Sequence, residues 1–168
     1  MKRKMLFLVI GLGFAGILCW WISSQTLLLK CQSDSLLNAR HLLIRKGNSF
    51  QRGDIVCLQD HRVKSIVGDK LLAKRVIGLP GDQIRHEKQF IKVVPQDGVL
   101  SPGTLNSSVL PLLKQTSKGE PLTPLSFTTI PEGYVFVAGD HPRSFDSRYE
   151  EFGLVLIKNV KGRGIWFW

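Results

Sequence analysis

Cysteine is scarce in this chain: Cys19, Cys31 and Cys57 are the only three in 168 residues. None forms a Cys-x-x-Cys pair, and His41, His61, His86 and His141 make no His-x-x-x-His spacing. A metal site of paired ligands is therefore not expected. Cys31 and Cys57 leave one disulfide open, because sequence alone does not bring two Cα atoms into bonding range. Acidic residues are also few, 13 Asp and Glu against 23 Lys and Arg, which gives a net charge of +10. Such an excess raises nucleic acid as a partner, but the cations are scattered and form no aromatic-interleaved stripe, so none is expected. A basic domain beside anionic lipid accounts for the charge, as does a merely solvated surface. There is no internal repeat, no low-complexity tract and only one long apolar run.

That run tells where the chain resides. Lys2, Arg3 and Lys4 precede an uncharged stretch from Met5 to Ile22. Its length reaches the lower end of the about 17–25 residues that span a bilayer as a helix. Trp20 and Trp21 sit at its far end, where amphipathic aromatics settle at the interface. A cleavable secretory signal has the same basic start, but its apolar core is only about 7–15 residues long. No small-x-small cleavage site follows here. The expected organisation is a cytoplasmic basic start (1–4), a single transmembrane anchor (5–24) and an extracytoplasmic domain (25–168).

Within the domain the pattern is β-rich. Short aliphatic or aromatic runs at His41–Arg45, Asp54–Gln59, Lys70–Ile77, Gln89–Val94 and Gly133–Ala138 are bounded by Gly- and Pro-containing turns. The fold class read from this is mainly β, a sandwich or barrel of short strands on one N-terminal helix. Residues 98–131 differ: Pro102, Pro111, Pro121 and Pro124 among Ser and Thr mark a long excursion. Loops of that length in a compact domain are usually functional or mobile.

Three polar clusters lie far apart: Ser33-Asp34-Ser35, Lys74-Arg75, and Ser144 to Arg148. A serine protease needs a nucleophile, a base and donors for the oxyanion. The four histidines fall in no triad order. Lysine can replace histidine only if burial lowers its amine pKa from about 10.4. Lys74 follows Leu71-Leu72-Ala73 in a strand-like run, and alternation sends Lys74 and Arg75 to opposite faces. Lys74 can then point inward while Arg75 meets solvent. On the pattern alone, a solvated strand-edge lysine is the more ordinary reading.

The run from Lys74 to Asp82 (Lys-Arg-Val-Ile-Gly-Leu-Pro-Gly-Asp) and the segment from Gly139 to Tyr149 together resemble the signal peptidase I family of membrane serine proteases. The resemblance covers Ser33 to about Asp82 and Pro131 to Gly153. It implies a signal-peptidase-like β domain and a Ser/Lys dyad, with no cofactor and no metal. Lys74 falls at the family's general base. Ser35 falls at the nucleophile and Ser33 at the oxyanion donor, in a Ser-x-Ser segment soon after the anchor. Ser23, Ser24 and Ser49 are the plainer alternatives, and Leu36-Leu37-Asn38 departs from the Met and Pro of housekeeping members. Ser144 would orient the lysine amine. Asp146 and Arg148 would brace the loop as an i,i+2 pair, whose value if exposed is only about 0–1 kcal/mol. Asp140 is expected to cap a turn. His141 stands where the family has Asn. Arg52-Gly53-Asp54-Ile55-Val56 matches a family strand entry and reads as structural.

By the same resemblance the partners are precursor proteins whose signal peptides carry small residues before the cleavage site. The location is the bacterial cytoplasmic membrane, with the catalytic domain on the periplasmic side. Ile165-Trp166-Phe167-Trp168 reads equally as a lipid contact or a final buried strand. The single anchor and the Gly139–Tyr149 segment also resemble the conjugative-transfer peptidases of the TraF type, which mature pilin or transfer-system precursors. The competing class is a non-catalytic membrane-anchored scaffold of a secretion or pilus system. Lys74 separates the two, because only a protease needs its amine neutral.

Overall fold

In the computed structural model the described residues are 2–31, 36, 40–60, 62, 68, 71–98 and 109–167. Helix α1 (Lys2–Gln25) runs directly into strand β1 (Thr26–Lys30). Side chains close its last turn: Thr26 Oγ1 donates to Ile22 O at 3.0 Å and Lys46 Nζ to Ser24 O at 2.8 Å, satisfying carbonyls that a helix end leaves open. Phe7, Ile10, Leu12, Phe14, Ile17, Trp20 and Trp21 on this helix are exposed. Among the described residues no helix is long and apolar enough to cross a membrane. The anchor expected over 5–24 falls within α1.

The rest is mainly β, as read from the sequence. Strands β2 (His41–Lys46), β3 (Ile55–Leu58), β4 (Leu72–Gly78), β8 (Tyr134–Ala138), β9 (Val155–Leu156) and β10 (Val160–Phe167) join β1 in one antiparallel sheet, ordered β1-β2-β10-β3-β4-β8-β9. Strands β5 (Gln83–Glu87), β6 (Phe90–Val94) and β7 (Val109–Pro111) form a second sheet. The central strands are apolar on both faces, as fully covered strands must be. Val56, Val76, Val135 and Val137 face one cluster with Phe152, while Ile77, Phe136 and Ala138 face another shared with Ile84, Ile91 and Val93 of the second sheet. A third cluster, Leu36, Leu42, Ile44, Ile55 and Cys57, packs against Cys31, Leu71 and Ala73. Cys31 and Cys57 are thiols, and burial pushes the Cys57 thiol up to about 11.

Strand β10 threads between β2 and β3 with register shifts at Val160/Gly162 and Gly164/Trp166. Gly162 and Gly164 abut Ile44 and Leu42, so bare backbone is what lets β2 approach. Residues 165–167 therefore lie in a strand, although Ile165 and Trp166 remain exposed. Of the expected excursion, the stretch from residue 109 supplies β7 and is tied down up to Ile130, whose N–H donates to Asp82 O at 2.9 Å. Residues 99–108 lie outside the described ones.

Gly78, at the end of β4, lets the two sheets meet. A Cβ there would collide with Ile130 and lie 2.9 Å from Val93 Cγ1 and 3.2 Å from Phe136 Cβ. Gly78→Ala is expected to cost about 1–3 kcal/mol through overpacking, read as a lowered urea midpoint with unchanged slope.

Candidate active site

The register of β4 decides the site. Lys74 pairs with Val56 of β3, and Arg75 pairs with Ile55 on one side and with Ala138 of β8 on the other. Alternation sends the Lys74 side chain toward the face of Val56 and Val76, where it is 3 % exposed. The segment after β8 folds over it. Lys74 Nζ donates to Ser144 Oγ at 2.6 Å. Burial pulls the amine down from its ordinary 10.5 to about 8. Arg148 lowers it further, while Asp146 and Asp140 pull the other way.

The covering segment is held by its own side chains. Asp146 and Arg148 pair as the resemblance implies, and both are fully buried, so the small value of an exposed pair does not describe them. Arg148 Nε and Nη2 each donate to the Asp146 carboxylate at 2.8 Å. Its remaining N–H groups reach Ser144 O at 2.8 Å, and Pro142 O and Pro111 O at 2.9 Å each. The other Asp146 lone pairs take the Gly139 N–H at 2.9 Å and the Arg148 N–H at 3.3 Å. Ser147 locks the segment to β8: its Oγ accepts from Val137 N at 3.1 Å and donates to Gly153 O at 2.8 Å. Phe145 packs edge-on against Phe152 at 5.5 Å, closing the apolar side.

Arg75 and Asp140 also depart from expectation. Arg75 does not simply meet solvent, and Asp140 does more than cap a turn. They form a forked pair, Nε to Oδ1 at 2.8 Å and Nη2 to Oδ2 at 2.9 Å, and Arg75 Nη1 donates to Gly53 O at 2.9 Å. The shared hydrogen bonds hold the guanidinium pKa above its ordinary value. Sequence reading also passed over the link between Arg52 and Asp82. The Arg52 guanidinium grips the Asp82 carboxylate and donates to Ile77 O at 3.0 Å. Asp82 in turn accepts from Leu79 N at 2.7 Å and Gln96 N at 3.0 Å. The only available signal was the opposite charge of two motif residues, with nothing to say that they meet.

The structure thus brings together Lys74, Ser144, Asp146, Arg148 and Asp140. Ser33 and Ser35 lie outside the described residues. A dry amine that is largely neutral above about pH 8 can accept a proton from a hydroxyl placed beside it.

A family model described as signal peptidase, peptidase S26, matches residues 1–168. The chain belongs to that family. It is 30% identical over 142 residues to a signal peptidase I of Pseudomonas aeruginosa, covering 70% of this chain and 49% of that protein. It is 32% identical over 134 residues to signal peptidase I V of Bacillus subtilis, covering 68% and 74%. The chain thus spans about half the length of the Pseudomonas relative. Among solved structures, a signal peptidase I from Enterococcus faecalis shares 35% identity over 68% of this chain and 96% of that one, with a TM-score of 0.42.

The low amine pKa of this signal peptidase relative has a stability consequence. Between about 8 and 10.5 the unfolded lysine binds a proton that the folded one does not, so stability rises with pH across that window. Below it the cost is fully present. Lys74→Met is expected to stabilise the protein at pH 7 by on the order of 2–3 kcal/mol, net of the lost Ser144 bond. Urea titrations at pH 7 and pH 10.5 check this: the advantage should shrink toward zero at the higher pH.

Proposed function

We propose that this member of the signal peptidase family is a membrane-anchored serine endopeptidase that removes signal or leader peptides from exported precursors. The observation that carries this reading is the Lys74 amine, buried, held by Ser144 and lowered to about 8. A scaffold gains nothing from such an amine, which costs stability at neutral pH.

Ser35 is the nucleophile. Its hydroxyl attacks the scissile carbonyl while its proton passes to Lys74 Nζ. The resulting oxyanion is stabilised by the Ser33 hydroxyl and the Ser35 backbone N–H. Lys74 then returns the proton to the leaving amine, and a water activated by the same amine releases the acyl group as a carboxylate. Leu36, the residue after Ser35, is buried in the cluster that also contacts Leu71 and Ala73, immediately before Lys74. What supports Ser35 over Ser23, Ser24 and Ser49 is the Ser-x-Ser spacing of Ser33-Asp34-Ser35, which matches the family's segment.

Helix α1 anchors the domain, with 1–4 cytoplasmic and the catalytic face outside; its exposed apolar side chains support this. Ser35 then works close to the outer membrane face, where a precursor's cleavage site emerges from the bilayer, and small residues precede that site. A specialised conjugative-transfer role, maturing pilin or transfer-system proteins, is the second reading. It is favoured by the sequence from Gly139 to Tyr149, where His141 replaces the family's Asn.

Cleavage of a signal-peptide-bearing precursor by the full chain in detergent tests the dyad. Ser35→Ala and Lys74→Ala should each lower kcat at least about a thousandfold while folding cooperatively. Wild-type kcat should rise about tenfold per pH unit up to roughly pH 8 and then level. Processing that survives Ser35→Ala, or a rate flat from pH 6.5 to 9, would refute the assignment.

A further inference from the structure

The turn that presents Ser144 to Lys74 is closed twice by one residue. His141 O accepts from Ser144 N at 3.0 Å, and His141 Nδ1 accepts from Arg143 N at 3.1 Å. The second bond has the form of an Asx turn, in which a side-chain acceptor at the δ position takes the N–H two residues on. Asn and Asp fill that role with an oxygen that keeps its lone pairs near neutral pH. An imidazole nitrogen does so only while unprotonated. The bond also fixes the tautomer, leaving the ring proton on Nε2.

Resting on the Lys74 reading above, we propose that His141 is a positioning residue whose protonation state gates cleavage. Neutral imidazole holds the Arg143 amide, and with it the turn that sets Ser144 against the lysine; imidazolium turns a proton toward that amide and breaks the bond. The turn connects to the site within one residue, since Ser144 is held by His141 O, by Arg148 at its carbonyl and by Lys74 at its hydroxyl.

The charged groups around His141 set the expected sign. On its own segment are Asp140, Arg143, Asp146 and Arg148, the last donating to Pro142 O. From β4 come Arg75, already committed to Asp140, and Lys74 beyond Ser144. A positive imidazolium acting only through space would favour the neutral form of Lys74 and so help activity at low pH. Loss of the turn acts in the opposite direction. The sign therefore separates a positional effect from a purely electrostatic one.

The test compares wild type, His141→Asn and His141→Ala as full chains in detergent. Cleavage is followed from pH 5.5 to 9, and in parallel the Arg143 amide and the His141 ring are titrated by NMR without substrate. In wild type, log kcat should fall with a slope of one below the lysine limb and then steepen, with an added loss of about threefold to tenfold. The extra limb should share its midpoint with the His141 ring, and the Arg143 amide resonance should move with it. His141→Asn should retain cleavage and show the lysine limb alone. His141→Ala should be slower at every pH, without the extra limb. The proposal is overturned if His141→Asn keeps the steeper limb, if wild type shows no such limb, or if the Arg143 amide ignores the ring's titration. Absence of the lysine limb in all three proteins would instead count against the dyad, and the NMR titration would still decide the role of His141.

Discussion

Arg148 has no access to water and donates to five acceptor atoms, the two oxygens of one carboxylate and three backbone carbonyls. A guanidinium cannot shed its charge, so its burial is tolerable only with a carboxylate at hand and its other N–H groups bonded. Asp146 provides the first, and the carbonyls of Ser144, Pro142 and Pro111 the second. Ser144 and Pro142 lie in irregular chain, and Pro111 ends β7. The need to solvate one buried cation thereby becomes the constraint that shapes the covering segment and places Ser144.

The same pair explains how an amine's pKa can fall to about 8 beside two carboxylates. A lone Asp146 next to Lys74 would hold the ammonium form and defeat the burial. With Arg148 bonded to it through both oxygens, the acid's pull is largely met before it reaches the lysine, and Asp140 is met likewise by Arg75. Desolvation is then left as the dominant influence on Lys74. Each carboxylate near the site has its own guanidinium, and the lysine has a hydroxyl. A neutral base next to charged groups needs this kind of matching, because one unmatched charge within about 4–6 Å shifts a pKa by roughly one to three units.

Much of this was legible in the sequence and some was not. Lys74 could be found because the run from Lys74 to Asp82 resembles the family's general-base motif; a strand's period of two only allowed it to turn inward, away from Arg75. The strands containing Val, Ile and Phe were visible as short apolar runs between turn residues. Strand β5 was not: Gln83-Ile84-Arg85-His86-Glu87 buries only Ile84, and a strand with one buried residue reads as loop. Strand β10 was obscured by Gly162 and Gly164, which look like turn residues yet serve close strand approach. The burial of Asp146 and Arg148 was invisible because it arises from chain far away in sequence. An i,i+2 pair of opposite charges looks the same on a surface loop as in a core. Arg75–Asp140 and Arg52–Asp82 were hidden alike, each partner reading as a plain polar residue until the fold supplied the other.

The Pro-rich excursion acquires a role by the same reasoning. Pro111, the last residue of β7, turns its carbonyl oxygen to Arg148 as one of the five acceptors. Further along, Leu125 N donates to Arg148 O at 2.8 Å and Glu150 N to Thr123 O at 2.9 Å. The Tyr149 hydroxyl accepts from Leu113 N at 3.0 Å. The stretch from 109 to 126 is thus laced to Arg148, Tyr149 and Glu150, immediately after the residues that cover the lysine. One of its carbonyls, Pro111 O, serves the buried cation, and the bonds to Arg148 O, Tyr149 and Glu150 hold the rest of the stretch against the covering segment.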